Sequence, residues 1–462
     1  MEETSKEQKK IQNATLAVAL ITNFSTPFAI TALNIAVPHI GVEFNASTTS
    51  LTWVVLSFLL VTAILSIPFG RIADIHGRKK ILISGIFIFC ITSFLCIFSP
   101  NMAVFLLLRV LQGVGGAMIF ATNIAILVDV FPAEKRGSVL GISVASVYVG
   151  GAAGPVIGGV ITHAFGWRAI FIVITALILS ALITAILRSP KTERLIETGE
   201  KLKASSFILF ILSFGLFFYG VSTLMQNIWS YFIFAAGIVL IVFCVKYESG
   251  QKTPLFDVRL FKGNRLFSLS LLGAMFNYAA VFAVAYLMSL YLQLGRGMNA
   301  DISGLILIFQ PLLQAALSPV AGRLSDKKSP ASIASIGMAC CTASLVMFIF
   351  LDLNTSMAYI IAGLLLMGFG IAFFASPNSN VIYGSVGNKD YGVATSMISS
   401  ARTFGQVIGM ALLTLIMHIV MGVVPIADVQ PSVLVQDMKV SYIVFAAICF
   451  VGVLISLQRR KK

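Results

Sequence analysis

Apolar runs long enough to cross a bilayer recur from one end of this chain to the other, and nothing constrains its fold more. "LTWVVLSFLLVTAILSIPF" (51–69) and "ILISGIFIFCITSFLCIF" (81–98) are two of them. A helix needs about 20 mostly apolar residues to span the hydrocarbon. Over the 462 residues, 58% are hydrophobic and 11% charged, whereas a soluble domain carries about a quarter charged residues. The chain reads as an all-α polytopic membrane protein. Its fourteen expected spans are 14–38, 51–69, 81–98, 102–131, 137–160, 168–187, 206–224, 229–246, 266–292, 301–321, 331–351, 357–384, 392–422 and 440–457. The lysine-rich start has no small-residue cleavage site after its apolar stretch, so that stretch reads as a first membrane helix.

An even number of spans places both termini on one side of the membrane. Of the 32 lysines and arginines, 27 fall on that side, in the tails and in alternate loops, against Arg168, Arg296 and Lys439 on the other. Cytoplasmic loops retain basic residues, so both termini are expected in the cytoplasm and the protein in the cytoplasmic membrane. The net charge of +14 is then a topological signal, which excludes nucleic acid as a partner. The six cysteines lie inside apolar runs without zinc-site spacing, which leaves packing as their role and neither metal nor cofactor implied.

The sequence also repeats itself. "GRIADIHGRKKI" at 70 has an echo in "GRLSDKKSPASI" at 322, and "GVGGAMIFATN" (113–123) in "GFGIAFFASPN" (368–378). Span 5 matches span 13 at the same offset, pairing Gly150 with Gly405 and Gly154 with Gly409. Residues 1–190 and 265–462 are therefore expected to form two six-helix repeat halves, with 191–264 supplying two inserted helices. Repeated membrane halves commonly hold a small-molecule substrate site between them near the midplane.

Four motifs, in order and on the expected helices, carry a family resemblance. They are "GRIADIHGRKKIL" (70–82), "LLLRVLQGVGGA" (106–117), "GISVASVYVGGAAGPVIGG" (141–159) and "GWRAIF" (166–171). With them the chain resembles the major facilitator superfamily, specifically its fourteen-helix drug:proton antiporter branch. The resemblance covers nearly the whole chain. It implies the major facilitator fold, export of amphipathic compounds by alternating access, and protons as the coupled partner.

It also implies roles. The loop at Gly70, Asp74, Gly77 and Arg78 acts in the family as a cytoplasmic latch. The two glycines permit tight turns, Asp74 can accept from the N-terminus of a facing helix, and Arg78 can pair with Asp129 at the end of span 4. In span 5, Gly141, Gly150, Gly154, Pro155, Gly158 and Gly159 fit the antiporter motif. Gly150, Gly154 and Gly158 make one smooth face for close helix approach, and Pro155 permits a bend.

Polar groups inside spans are functional candidates by default. Arg109 is the sharpest, with Gln112 and Asn123 on its helical face; a structural arginine bonding the carbonyls of helix 1 is the alternative. The others are Asn23, Thr26 and Asn34 on span 1, Asn277, Tyr278 and Tyr286 on span 9, Gln310 and Gln314 on span 10, Asn378 on span 12, and Arg402 on span 13. One departure matters: "AITALNIAVP" (29–38) follows the family's helix-1 pattern but has Ala29 where the family carries its membrane aspartate. All eighteen acids are expected in loops or near span ends, Asp129 the deepest. That gap leaves open a carrier or uniporter for neutral or anionic metabolites. No nucleotide-binding G-x4-G-K-[ST] and no H-E-x-x-H or G-x-S-x-G occurs, which argues against an ATP-driven pump or an enzyme.

Overall fold

The computed structural model describes residues 2–188, 203–224, 227–251, 255, 263–387 and 391–460. Among them, fourteen helices are long and apolar enough to cross a membrane. We number them α1 (Glu2–Glu43), α2 (Thr48–His76), α3 (Arg78–Cys96), α4 (Met102–Val130), α5 (Ala133–Phe165), α6 (Arg168–Arg188), α7 (Ala204–Thr223) and α8 (Ile228–Ser249). Then come α9 (Arg265–Leu290), α10 (Ala300–Lys327), α11 (Pro330–Ile349), α12 (Met357–Gly384), α13 (Tyr391–Met421) and α14 (Pro431–Leu457). The described structure is otherwise irregular, apart from short turns and one isolated antiparallel bridge, Ser47 to Pro425.

Local chemistry sets several helix ends. Ser47, Asn101, Asn227, Asn264 and Ser356 cap the helices that follow them by accepting a backbone N–H three residues on, which satisfies a donor that has no helical partner. Proline opens α11 and α14, where its missing N–H costs nothing. Gly77, at φ 104°, breaks the chain between α2 and α3. Two spans are less regular than the sequence implies. The α10 helix is interrupted at Ile308, and α9 unwinds into a π turn at Tyr291–Gly295.

Helix packing repeats as well. The pairs α1–α5, α2–α4, α3–α4, α1–α6 and α3–α6 recur as α9–α13, α10–α12, α11–α12, α9–α14 and α11–α14. The α7 helix lies against α2 and α13, while α8 packs chiefly on α7. Phe404 of α13 stacks on Phe218 of α7, and Trp53 of α2 meets Tyr219.

The two sets of helices close on each other at the end opposite the termini. Thr48 N–H donates to the Val424 carbonyl at 3.0 Å, and Ile426 N–H to the Ala46 carbonyl at 3.1 Å. Thr48 Oγ1 donates to the Gly422 carbonyl at 2.5 Å, and Thr414 Oγ1 to Thr52 Oγ1 at 2.8 Å. From α9, Ser289 Oγ reaches the Asn34 carbonyl at 2.7 Å and Gln293 Nε2 the Ile35 carbonyl at 3.0 Å. Toward the termini α5 and α10 part. Ala300, Ser303, Gly304, Ile306 and Leu307 of α10 are buried, whereas from Phe309 to Lys327 the buried residues are Ala321 and Ser325. The result is a bundle sealed at one end and spread along α10 at the other.

Candidate functional site

Tyr278 of α9 has Tyr148 of α5, from the other set of helices, and Arg402 of α13 as electrostatic neighbours. Each is partly exposed. Glycines make the approach possible. A Cβ on Gly405 of α13 would stand 2.5 Å from the Met275 carbonyl oxygen and 3.0 Å from the Tyr278 Cβ. On the other side, a Cβ on Gly158 would stand 2.7 Å from the Ala32 Cα, so α5 lies flush on α1. Gln310 and Gln314 project along the spread face of α10, partly exposed and linked by a 3.3 Å hydrogen bond from Gln310 Nε2 to Gln314 Oε1. A guanidinium and a phenol on neighbouring helices offer donors, a positive charge and an aromatic face.

Other sequence candidates turn inward to their own set of helices. Arg109 is fully buried. Its Nε donates to the Val54 carbonyl of α2 at 3.0 Å, its Nη1 to Gln112 Oε1, and its guanidinium lies 4.7 Å from the Phe58 ring centroid. Gln112 Nε2 passes the chain on to Ser93 Oγ of α3 at 2.6 Å. The shared polar stripe expected for Arg109, Gln112 and Asn123 is thus divided: the first two tie α2, α3 and α4 together, and the carbonyl engaged belongs to helix 2, not helix 1. Asn123 Nδ2 instead donates to Thr22 Oγ1 at 2.9 Å and to Asn23 Oδ1 at 2.8 Å, and Asn23 Nδ2 donates to Ser143 Oγ at 2.7 Å.

In the repeat, Asn277 is buried with its amide facing Cys341 and Cys449. Asn378 Nδ2 donates to the Ser270 carbonyl at 3.2 Å and its Oδ1 accepts from Arg459 Nη1 at 2.5 Å. Arg459 follows the end of α14, and burial pulls its guanidinium down to about 10, which leaves it charged at neutral pH. Asn34 sits in the seal, where its carbonyl takes the Ser289 hydroxyl.

The loop between α2 and α3 differs from the expected turn. Gly70 lies inside α2, so the tight turn falls to Gly77 alone. Asp74 is engaged by Arg78, whose Nε and Nη2 donate to Asp74 Oδ1 at 3.0 and 2.8 Å. Arg78 Nη1 bonds Asp129 Oδ2 at 2.8 Å. One arginine therefore joins the ends of α2, α3 and α4.

The span-5 glycines divide by direction. Gly150, Gly154 and Gly158 press on Phe24, Thr31 and Ala32 of α1. Gly159 faces the Ala300 carbonyl across the seal, where a Cβ would come within 2.5 Å, and the Pro155 carbonyl lies against Gly304 of α10. Gly141 has nothing within 4 Å of its Cβ position. The far loop of the first set is stapled by Glu43, which accepts from Trp167 Nε1 at 2.6 Å and pairs with Arg168.

Two residues escaped the sequence reading. Tyr148 lies within the helix-5 motif, but only the fold brings it to Tyr278. Asp437 falls outside the expected span 440–457, because it and Lys439 interrupt the hydropathy; α14 starts at Pro431 and buries Asp437 completely. Asp437 lies about two turns from a span end but is fully buried, so the expectation that Asp129 is the deepest acid is corrected there. Glu248, at the end of α8, is also fully buried and accepts from the Leu255 N–H at 2.5 Å. Among the described residues no group of histidine, cysteine and acidic side chains could hold a metal ion, and all six cysteines are free thiols.

The family model for the Major Facilitator Superfamily matches residues 19–254 and 270–462. The chain belongs to the major facilitator superfamily. Several relatives of this superfamily member have named activities. It is 29% identical over 447 residues to the riboflavin transporter RibZ of Clostridioides difficile, covering 97% of each chain. It is 28% identical over 389 residues to the multidrug resistance protein Stp of Mycobacterium tuberculosis, covering 82% of this chain and 71% of that one. The methylenomycin A resistance protein of Bacillus subtilis is 26% identical over 396 residues, 84% of each. Among solved structures, the POT family transporter PepTSo superposes with a TM-score of 0.69 at 15% identity, covering 98% of this chain and 97% of that one. The human organic anion transporter TETRAN follows at 0.64 and 12%, covering 97% and 99%. These two carry the fold alone. The facilitator chain is a multi-pass membrane transporter for small molecules.

Proposed function

We propose that this transporter exports amphipathic small molecules from the cytoplasm by alternating access, in exchange for protons. The observation that carries the reading is the seal at one end of the bundle, with α5 and α10 spread at the other and Tyr148, Tyr278 and Arg402 between them. Helices 1–6 and 9–14 are the two moving bodies, and the glycine faces of α5 and α13 are the surfaces on which they rock. With the basic loops in the cytoplasm, the sealed end faces outward and the described state opens inward. The Asp74–Arg78–Asp129 cluster is the latch that re-forms against the second body when the inner side closes. The drug-resistance relatives favour export.

Transport by the purified protein in liposomes tests the reading, with ΔpH and membrane potential imposed separately. Uphill movement of a fluorescent dye driven by ΔpH is the expected result. Downhill flux alone would remove proton exchange and retain the carrier.

A second reading rests on Ala29 and Arg402. A cavity with a guanidinium and no acid on helix 1 suits a neutral or anionic metabolite, and the riboflavin transporter is among the relatives. Riboflavin in the same liposomes separates the two readings: saturable riboflavin flux without dye flux would favour the metabolite carrier.

A further inference from the structure

Asp437 is 0% exposed, and neither carboxyl oxygen has a hydrogen-bond partner among the described residues. Its surroundings are polar but unpaired. The hydroxyls of Tyr286 on α9 and of Ser441 and Tyr442 on α14 are also buried without partners, and Asp437 is an electrostatic neighbour of both tyrosines. Tyr442 in turn neighbours Tyr291 of the π turn, whose hydroxyl accepts from Arg296 Nη1 at 3.2 Å and donates to the Asp352 carbonyl at 2.5 Å. Phe348 of α11 covers Tyr442, with ring centroids 5.4 Å apart. Among the described residues no ion pair to Asp437 is formed, and Lys439 lies two residues further along α14.

An ionised carboxylate buried without a hydrogen bond costs several kcal/mol, whereas the neutral acid costs far less. Position gives that preference a use. Asp437 lies six residues inside α14, about 9 Å from its outer end at 1.5 Å per residue. Tyr286 shares the last turns of α9 with Ser289, and Ser289 and Gln293 make the bonds across the seal. The π turn that follows is a form of helix concentrated at functional sites. The acid and the outer seal are therefore two sides of one helix end.

We propose that Asp437 is a proton-binding site of the transport cycle, and that its neutral form holds α9 against α14 while the outer end is sealed. The proton comes from outer-side water when α9 lifts, bonds to one carboxylate oxygen, and leaves that oxygen for inner-side water that reaches the site in the inward-open phase of the cycle. Only an O–H bond forms and breaks. The ionised carboxylate needs water or donors that the sealed geometry denies, so ionisation favours parting of α9 and α14, and outer-side acid favours closure. The role in coupling rests on the proton-exchange reading above; the proton site itself rests on the burial and the empty hydrogen-bonding shell.

Three measurements on the full-length purified protein test it. Infrared spectra at neutral pH should show a protonated-carboxyl stretching band that Asp437→Asn removes and Asp437→Glu restores. Beyond the loss of thiolate that slows any cysteine, Ser47→Cys should be labelled from outside by an impermeant maleimide less readily as pH falls, and Asp437→Asn should abolish that excess. In liposomes, Asp437→Asn should retain downhill dye flux and lose ΔpH-driven accumulation. Tyr286→Phe, which keeps the ring and the acid, should shift the pH midpoint of labelling and so covers the case in which the aspartate variant misfolds. An unchanged infrared band, or full ΔpH-driven accumulation by the asparagine variant, would overturn the assignment. A wild type indifferent to ΔpH would end the exchange reading instead, and the band and the labelling would still decide Asp437.

Discussion

Arg109 and Arg78 are both arginines in the first set of helices, yet their surroundings predict opposite outcomes for removal. Arg109 is enclosed, and Arg109→Ala strips donors from the Val54 carbonyl and from Gln112 in a site water does not reach. Orphaning buried polar partners of a charged group costs on the order of 3 kcal/mol. The variant should melt well below wild type in detergent, and Arg109→Lys should recover only part of the loss, because an ammonium lacks the planar fork. Arg78 and its acids are a quarter to nearly half exposed, and ion pairs of that kind contribute at most about 1 kcal/mol. Asp129→Asn should therefore leave thermal melting close to wild type. If the cluster is a latch, dye efflux by that variant falls several-fold all the same; unchanged efflux would reduce the cluster to a topological signal.

At the scale of the helix, glycines in one motif have different work. Gly158→Ala would push a methyl group into Ala32 of α1, at 2.7 Å from its Cα, and overpacking of that kind costs about 1–3 kcal/mol. Gly141→Ala meets nothing within 4 Å and gains helix propensity, up to about 1 kcal/mol. The two alanines should move the melting temperature in opposite directions. Helices were the most legible level of this sequence, because a bilayer demands long apolar stretches and each stretch announces itself. Where the reading slipped, a polar residue inside a helix mimicked a loop: Asp437 and Lys439 delayed the expected start of α14 to residue 440, although Pro431 is a helix-opening signal. The divided stripe of α4 was illegible for another reason. Periodicity says which residues share a face, and only the neighbouring helices decide whether that face meets a cavity or another side chain.

For the whole molecule, the repeat visible in the sequence reappears as repeated helix packing, while the contact between the two sets left no trace in it. Tyr148 and Tyr278 are 130 positions apart, and no motif relates them. The seal is equally silent, since backbone groups make much of it. Its geometry offers a direct test of alternating access. Residues opposed in an antiparallel pair have Cα atoms about 4.5–5.5 Å apart, within the roughly 4.4–6.8 Å that a disulfide bridges. Ser47→Cys combined with Pro425→Cys should therefore cross-link under oxidation and stop transport, with recovery on adding a reductant. Continued flux through the cross-linked protein would mean that the outer seal never opens in the cycle.

That seal has a consequence for how such a protein changes over generations. Peptide groups at Ala46, Thr48, Gly422, Val424 and Ile426 bridge the two bodies, and nearly every amino acid supplies the same peptide group. Two of the bonds, Thr48 N–H to Val424 and Ile426 N–H to Ala46, join peptide groups alone and survive most substitutions there. The rest of the closure is exacting, because Thr48, Thr414, Ser289 and Gln293 bond across it through their side chains.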